Sequence, residues 1–139
     1  DDVVIDVGTG SGVLSIAAAM LGAKKVDALD LDYVAVTAAI ENVELNKVEA
    51  IVEVTQGNLL EKVDSKPNLI VANILADVIM SFSADAASIL PEDGLFIVSG
   101  IIGEKRDEVK DDLVNKGFEI IESVLMEDWV AIIAQKKGV

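Results

Sequence analysis

The chain contains neither cysteine nor histidine, and this absence narrows its possible chemistry more than any residue that is present. Without thiols or imidazoles the protein cannot use a cysteine nucleophile or a histidine-based catalytic triad, and it cannot build a zinc site of the usual ligands. The absence argues against hydrolases that depend on these groups, and no metal site is predicted. At 139 residues the chain is large enough to form one domain without a disulfide or a structural metal.

Basic residues are also scarce. The chain has 11 Lys and Arg and 25 Asp and Glu, which give a net charge of −14. A surface of this sign repels phosphate backbones, so no direct binding of nucleic acid is expected, and a basic protein is the better partner. Alternatively, the acidity serves only to keep the domain in solution. No apolar run approaches the roughly 20 residues that span a bilayer, and no signal-like segment begins the chain. We therefore expect a soluble, cytoplasmic protein that does not bind membranes.

Aromatic residues make up only 4% of the chain, whereas alanine and aliphatic residues supply most of its 52% hydrophobic content. Apolar runs typical of strands alternate with segments whose apolar residues recur at helical spacing. This alternation predicts an α/β fold with a mostly parallel sheet. The predicted strands are residues 2–7, 25–30, 50–55, 68–73 and 95–100, and the predicted helices are residues 13–21, 33–46, 75–90 and 104–116.

The end of the chain breaks this alternation. Two strand-like runs, residues 118–126 and 129–135, are separated only by Glu127 and Asp128. Such a short connection joins antiparallel strands, so these runs are predicted to form a hairpin. No repeat or linker interrupts the sequence, and residues 1–139 are predicted to be one domain. Because the chain has no initiator methionine and begins almost inside its first strand, we expect a fragment of a longer protein.

A glycine-rich turn follows the first predicted strand, in the segment Asp6–Gly12 (DVGTGSG). Open α/β sheets bind ligands at this end of their strands, and glycines there let the main chain approach a ligand closely. The GxGxG spacing differs from the dinucleotide fingerprint GxGxxG, and the Lys-Ser or Lys-Thr pair of a P-loop is missing. The segment is instead similar to motif I of methyltransferases. A tight connection between strand and helix is the structural alternative.

Asp30 ends the second predicted strand, where an acid receives the ribose hydroxyls of an adenosine. A carboxylate can accept both of these hydrogen bonds. The alternative is that Asp30 only caps the helix that begins near Tyr33, a role for which Asp32 is better placed. The glycine turn and Asp30 together predict a site for an adenosine-containing ligand.

Two asparagines follow later strands. Asn58 lies where related methyltransferases usually carry an acid that accepts a hydrogen bond from the adenine amino group, and its amide oxygen accepts a weaker bond. Asn73 lies where methyltransferases of amino groups carry Asn or Asp with two prolines and an aromatic residue, which this chain lacks. Asn73 can orient a nucleophile or help to close the cofactor pocket, or it can simply cap the following helix.

The resemblance becomes specific over longer segments. The runs VIDVGTGSGVLSIAAAMLGAKKV, LDLDYVAVTAAIENVELN, VANILADVI and LPEDGLFIVSGI, with the terminal Trp129–Ala131, resemble the methyltransferase family that modifies the eleventh protein of the large ribosomal subunit. The match covers essentially the whole chain. Residues 71–75 are its distinctive part, because methyltransferases of many substrates share motif I.

This resemblance implies a Rossmann-like, seven-stranded class I methyltransferase sheet ordered 3-2-1-4-5-7-6, with helices on both faces and a reversed seventh strand. It implies transfer of methyl groups from S-adenosyl-L-methionine, with S-adenosyl-L-homocysteine as product, to lysine side chains and the N-terminal amine of a basic ribosomal protein. The helix N-terminus and turn amides would face the methionine carboxylate, and Asp6 would lie near the cationic part of the cofactor. Asn73 is the predicted catalytic residue. The predicted cofactor-binding residues are Asp6, Gly8, Thr9, Gly10, Gly12, Asp30, Leu31, Asp32, Gly57, Asn58, Leu59, Asn73 and Leu75.

The chain departs from the family at Thr9, where cysteine is common, and at Asn58, which replaces the frequent acid. The family's N-terminal substrate-recognition domain and its threonine-rich segment over the cofactor lie outside these residues, so the chain alone is expected to be inactive or nearly so. Three alternatives remain. The chain could be a non-catalytic adenosyl-binding fragment, or a methyltransferase whose substrate is another protein, a small amine or RNA. It could also be a nicotinamide-dependent oxidoreductase domain. The glycine spacing and the terminal hairpin argue against the last. The sequence does not indicate an oligomeric state.

Overall fold

The computed structural model describes residues 2–58, 60 and 66–138 of the protein, in which strands and helices alternate as predicted. The chain forms two compact units, residues 1–67 and 68–139. No helix within the described residues is both long and apolar enough to cross a membrane.

The first unit consists of three parallel strands and two helices. Strand β1 pairs with β2, and β2 pairs with β3. The last four residues of β1 are buried, as expected for a parallel strand that is covered on both faces. Because Val7 at the end of β1 is level with Leu29, the turn after β1 and the end of β2 meet at one edge of the sheet. The elements are β1 (Val3–Val7), α1 (Val13–Met20), β2 (Lys25–Asp30), α2 (Tyr33–Leu45) and β3 (Val52–Gln56).

The second unit combines a parallel strand pair with the terminal hairpin. Strand β4 pairs with β5 in parallel, and β7 lies antiparallel to both β5 and β6. Glu127 in the hairpin turn has a φ of 57°, and the two-residue connection is the one predicted. The elements are β4 (Leu69–Asn73), α3 (Ala76–Ile89), β5 (Leu95–Ile102), a short 3-10 helix (Gly103–Lys105), α4 (Arg106–Asn115), β6 (Phe118–Met126) and β7 (Trp129–Lys136).

Three phenylalanines form the aromatic centre of the second unit. Phe96 on β5 meets Phe82 on α3 edge to face, with ring centroids 5.8 Å apart, and lies 5.5 Å from the ring of Phe118 on β6. All three side chains are almost completely buried. Three of the five aromatic residues of this chain are therefore concentrated where helix, parallel strand and hairpin pack together.

The strand order in the seven-stranded sheet is β3-β2-β1-β4-β5-β7-β6, which confirms the predicted fold class and the reversed seventh strand. Most element bounds lie within one or two residues of the prediction. Strand β3 begins later than predicted because the amides of Ile51 and Val52 donate to the carbonyl of Val48 in a turn. Strand β5 is longer than predicted, since it continues beyond Gly100 to Ile102.

Candidate functional site

The three glycines after β1 all lie in the left-handed region of backbone conformation. Their φ values are 72° at Gly8, 57° at Gly10 and 87° at Gly12, which explains why this turn requires glycine at alternate positions. A Cβ atom at Gly12 would lie 3.3 Å from the Cβ of Ala39, so α2 packs closely against the turn there. No atom lies within 4 Å of a Cβ placed at Gly10, which leaves that side of the turn open.

Hydrogen bonds within the chain fix the shape of this turn. The amides of Gly8 and Thr9 donate to one carbonyl of β2, at 2.8 and 2.9 Å, and the amide of Gly12 donates to the carbonyl of Thr9 at 2.9 Å. The amide of Gly10 donates to Oδ2 of Asp30 at 2.9 Å. These four amides are therefore occupied within the protein, contrary to the expectation that the turn amides face an anion. Binding of the methionine carboxylate stays a prediction for the N-terminus of α1, because the first main-chain N–H groups of a helix have no acceptor within the helix.

Asp30 is held in place by one amide on each carboxylate oxygen. Oδ2 accepts the bond from Gly10, and Oδ1 accepts one from the amide of Asp32 at 2.9 Å. The residue is only half-buried, and each oxygen can accept a further hydrogen bond. The proposal that Asp30 caps α2 is wrong, because the cap is Asp32, whose Oδ1 accepts the amide of Val34 at 2.9 Å. Leu31, between these acids, is exposed.

Asp6 lies beneath the turn with only 1% of its surface exposed. Its Oδ2 accepts hydrogen bonds from the hydroxyls of Thr9, at 2.9 Å, and Ser15, at 2.8 Å. Among the described residues, no donor reaches its buried Oδ1. Burial raises the pKa of Asp6, and the bonds from Ser15 and Thr9 oppose that rise. Sequence reasoning missed Ser15, although a polar residue at a helix position that faces the core was a possible signal.

The raised pKa of Asp6 predicts a pH-dependent stability. Folding favours its protonated form, so this contribution is complete below the unfolded pKa of 3.8 and is lost as pH rises through the higher folded pKa. Relative to an Asp6→Asn variant, the free energy of unfolding should fall across the pH range that begins at 3.8 and ends above the raised folded pKa, by about 1.4 kcal/mol for each unit of pKa elevation. Urea unfolding of both proteins across this range measures the difference. A difference that does not change with pH would contradict the prediction.

The loop after β3 is tied to the same region. The amide of Gly57 donates to the main-chain carbonyl of Asp30 at 3.0 Å, and the side chain of Gln56 donates to the carbonyl of Leu31 at 3.1 Å. Asn58 is exposed. Leu59, which the sequence also predicts to bind the cofactor, lies outside the described residues.

In the second unit, Asn73 is the last residue of β4 and is exposed. It does not cap α3, because the N-cap of that helix is Leu75, which makes no side-chain capping bond. The capping interpretation of Asn73 is therefore wrong. Leu75 itself is 71% exposed.

Asn73 and Leu75 line an open cavity of about 540 Å³. The cavity is mostly apolar, and a half-exposed indole forms part of its wall. Such a surface suits the aliphatic part of a molecule whose polar end meets the carboxamide of Asn73. Sequence reasoning gave no site role to the other lining residues, which come from the connection after β4, from β5 and from the hairpin. The cavity is lined by Asn73, Ile74, Leu75, Ser99, Gly100, Met126 and Trp129.

The strand order, the reversed seventh strand and the glycine turn with an acid after the next strand define the fold of a class I methyltransferase. A methyltransferase from Pyrococcus furiosus has the same fold, with a TM-score of 0.86 at 18% identity over 99% of this chain and 76% of that chain.

Closer relatives identify the family. The family model described as ribosomal protein L11 methyltransferase (PrmA) matches residues 1–137. A ribosomal protein L11 methyltransferase from Anoxybacillus flavithermus is 60% identical over 136 residues, which are 98% of this chain and 44% of the relative. A ribosomal protein L11 methylase from Lactobacillus delbrueckii subsp. bulgaricus superposes with a TM-score of 0.94 at 39% identity, over 99% of this chain and 71% of that chain. The chain therefore belongs to the ribosomal protein L11 methyltransferase family, and it spans less than half of the Anoxybacillus relative.

Proposed function

We propose that this chain binds S-adenosyl-L-methionine and, within its full-length protein, directs methyl transfer to amino groups of ribosomal protein L11. The acceptors are lysine side chains and the N-terminal amine. The observation that carries the proposal is the carboxylate of Asp30, fixed beside the glycine turn by the amide of Gly10. Family membership supports the reaction, and the net charge of −14 suits a basic protein substrate in the cytoplasm.

The residues present fit an adenosyl cofactor. Asp30 is only half-buried, and its two oxygens retain lone pairs for two ribose hydroxyls. Oδ1 of Asp6 is a buried acceptor with no donor among the described residues, which suits a water that links this carboxylate to the ammonium group of the methionine part. The open face of Gly10 leaves room for the ligand to approach the main chain. Gly57 and Asn58 would then contact the adenine end.

Bound S-adenosyl-L-methionine supplies an electrophilic methyl group on a sulfonium. The protein must align an uncharged amine with it and exclude water. Oδ1 of Asn73 can accept a hydrogen bond from the amine and so orient its lone pair. The apolar walls formed by Leu75, Met126 and Trp129 disfavour an ammonium ion, which lowers the pKa of a lysine from about 10.4 and releases its proton to solvent. No histidine is needed for this step.

A transfer experiment tests this function. The full-length protein is incubated with methyl-labelled S-adenosyl-L-methionine and ribosomal proteins from cells that lack the enzyme. We expect label in L11, on lysines and the N-terminal amine, as read by mass spectrometry. Label in another protein or in RNA would overturn the substrate, whereas cofactor binding without transfer would favour the non-catalytic alternative. Competition between NAD and S-adenosyl-L-homocysteine provides the control, because only the latter should bind in the micromolar range.

A further inference from the structure

Strand β5 contains a bulge at the point where it passes Asn73. Val98 is level with Ile132 on β7, but Ile101 is level with Val130, so β5 carries one more residue than its partner over this stretch. Ser99 is level with Asn73 on the other side of β5, and Gly100 follows it with a φ of 76°. The extra residue and the left-handed conformation thus lie directly beside Asn73.

The missing side chain of Gly100 leaves the space that the Asn73 carboxamide uses. A Cβ placed at Gly100 would meet Oδ1 of Asn73 more closely than real Cβ atoms ever approach a neighbour. It would also lie 3.6 Å from both Cγ of Asn73 and the carbonyl oxygen of Ile74. Because Oδ1 is the end of a rotatable side chain, an added methyl group would turn the carboxamide away without preventing folding.

We propose that Gly100 is a positioning residue for methyl transfer, which keeps Oδ1 of Asn73 directed at the acceptor amine. This inference rests on the role proposed above for Asn73. Gly100 and Asn73 line the same cavity, so the carboxamide meets the acceptor only if position 100 has no side chain. The bulge therefore sets the direction of a functional group on the neighbouring strand.

The test compares Gly100→Ala with a matched control in the full-length protein. Gly117 has a φ of 100° and no atom within 4 Å of a placed Cβ, so Gly117→Ala carries similar backbone strain without a new contact. Both variants should fold, with similar losses in Tm. Gly100→Ala should lower kcat for L11 methylation at least tenfold with little change in cofactor affinity, whereas Gly117→Ala should leave kcat within twofold. Equal kcat values for the two variants would overturn the inference.

Two further measurements separate positioning from a general structural effect. The side-chain amide resonances of Asn73, assigned by their loss in Asn73→Ala, should shift in Gly100→Ala and stay in place in Gly117→Ala. In the Asn73→Ala background, adding Gly100→Ala should lower kcat no further, since the group that it misdirects is already absent. Multiplied losses would contradict the positioning role. If Asn73→Ala alone keeps full kcat, the proposed role of Asn73 is wrong, and so is the positioning role of Gly100. That result would not contradict the proposal that the protein is a methyltransferase.

Discussion

Replacement of Asp30 by alanine should weaken the binding of S-adenosyl-L-homocysteine about 100-fold. Two hydrogen bonds from ribose hydroxyls to a carboxylate are together worth about 3 kcal/mol, which corresponds to roughly two powers of ten. The variant also loses the acceptor for the amides of Gly10 and Asp32, so the turn itself becomes less well fixed. Titration calorimetry on the full-length protein measures the affinity directly.

Two control variants isolate the contribution of the Asp30 carboxylate. Asp30→Asn keeps the shape and one acceptor oxygen, and we expect it to weaken binding about tenfold, since it removes the charge. Asp107→Ala removes an equal charge from an exposed position on α4 and should leave the affinity unchanged. Full affinity in Asp30→Ala would remove the ribose assignment, whatever the substrate of the enzyme.

Replacement of Phe96 by alanine should have the largest effect on stability. The side chain is completely buried and contacts the rings of Phe82 and Phe118. Removal of a buried phenylalanine side chain typically lowers the free energy of unfolding by about 3–5 kcal/mol, because the cavity closes only in part. Urea unfolding gives the value, and at this size the variant is expected to be partly unfolded at 37 °C.

Phe96→Leu provides the matched control, because it keeps most of the apolar volume while it loses both ring contacts. We expect it to lower the free energy of unfolding by about 1–2 kcal/mol. If Phe96→Ala were no more destabilising than Phe96→Leu, the aromatic cluster would not be the packing centre of the second unit.

Strand and helix order could be predicted because the apolar pattern changes period at each boundary. The bounds of β2 and β6 match the prediction, because an acidic residue stands at the end of each run, Asp30 in β2 and Glu127 directly after β6. The bulge in β5 could not be predicted, because it depends on the register with β7, which no local pattern encodes. The prediction therefore ended β5 at Gly100, where the strand in fact continues.

In the candidate site too, features that depend on the local sequence could be predicted, whereas features that depend on tertiary contacts could not. The glycine spacing and Asp30 were readable because each occupies a fixed place after a strand. The sequence did not reveal that Gly10 donates to Asp30, or that Thr9 and Ser15 both donate to Asp6, since these bonds join residues through the packing of the turn. The hydroxyl of Thr9 gives Asp6 a stronger donor than a thiol would at this position.

The hydrogen bond between Gly10 and Asp30 also affects how the proposed pocket would bind a cofactor. It joins the turn after β1 directly to the end of β2, so a bond within the protein holds the two walls of the proposed cofactor pocket together. A cofactor that enters a rigid pocket of this kind gives up little of its binding free energy to ordering the protein. Discrimination between cofactors would then depend on the fit to a preformed shape, and not on a closing movement of this loop.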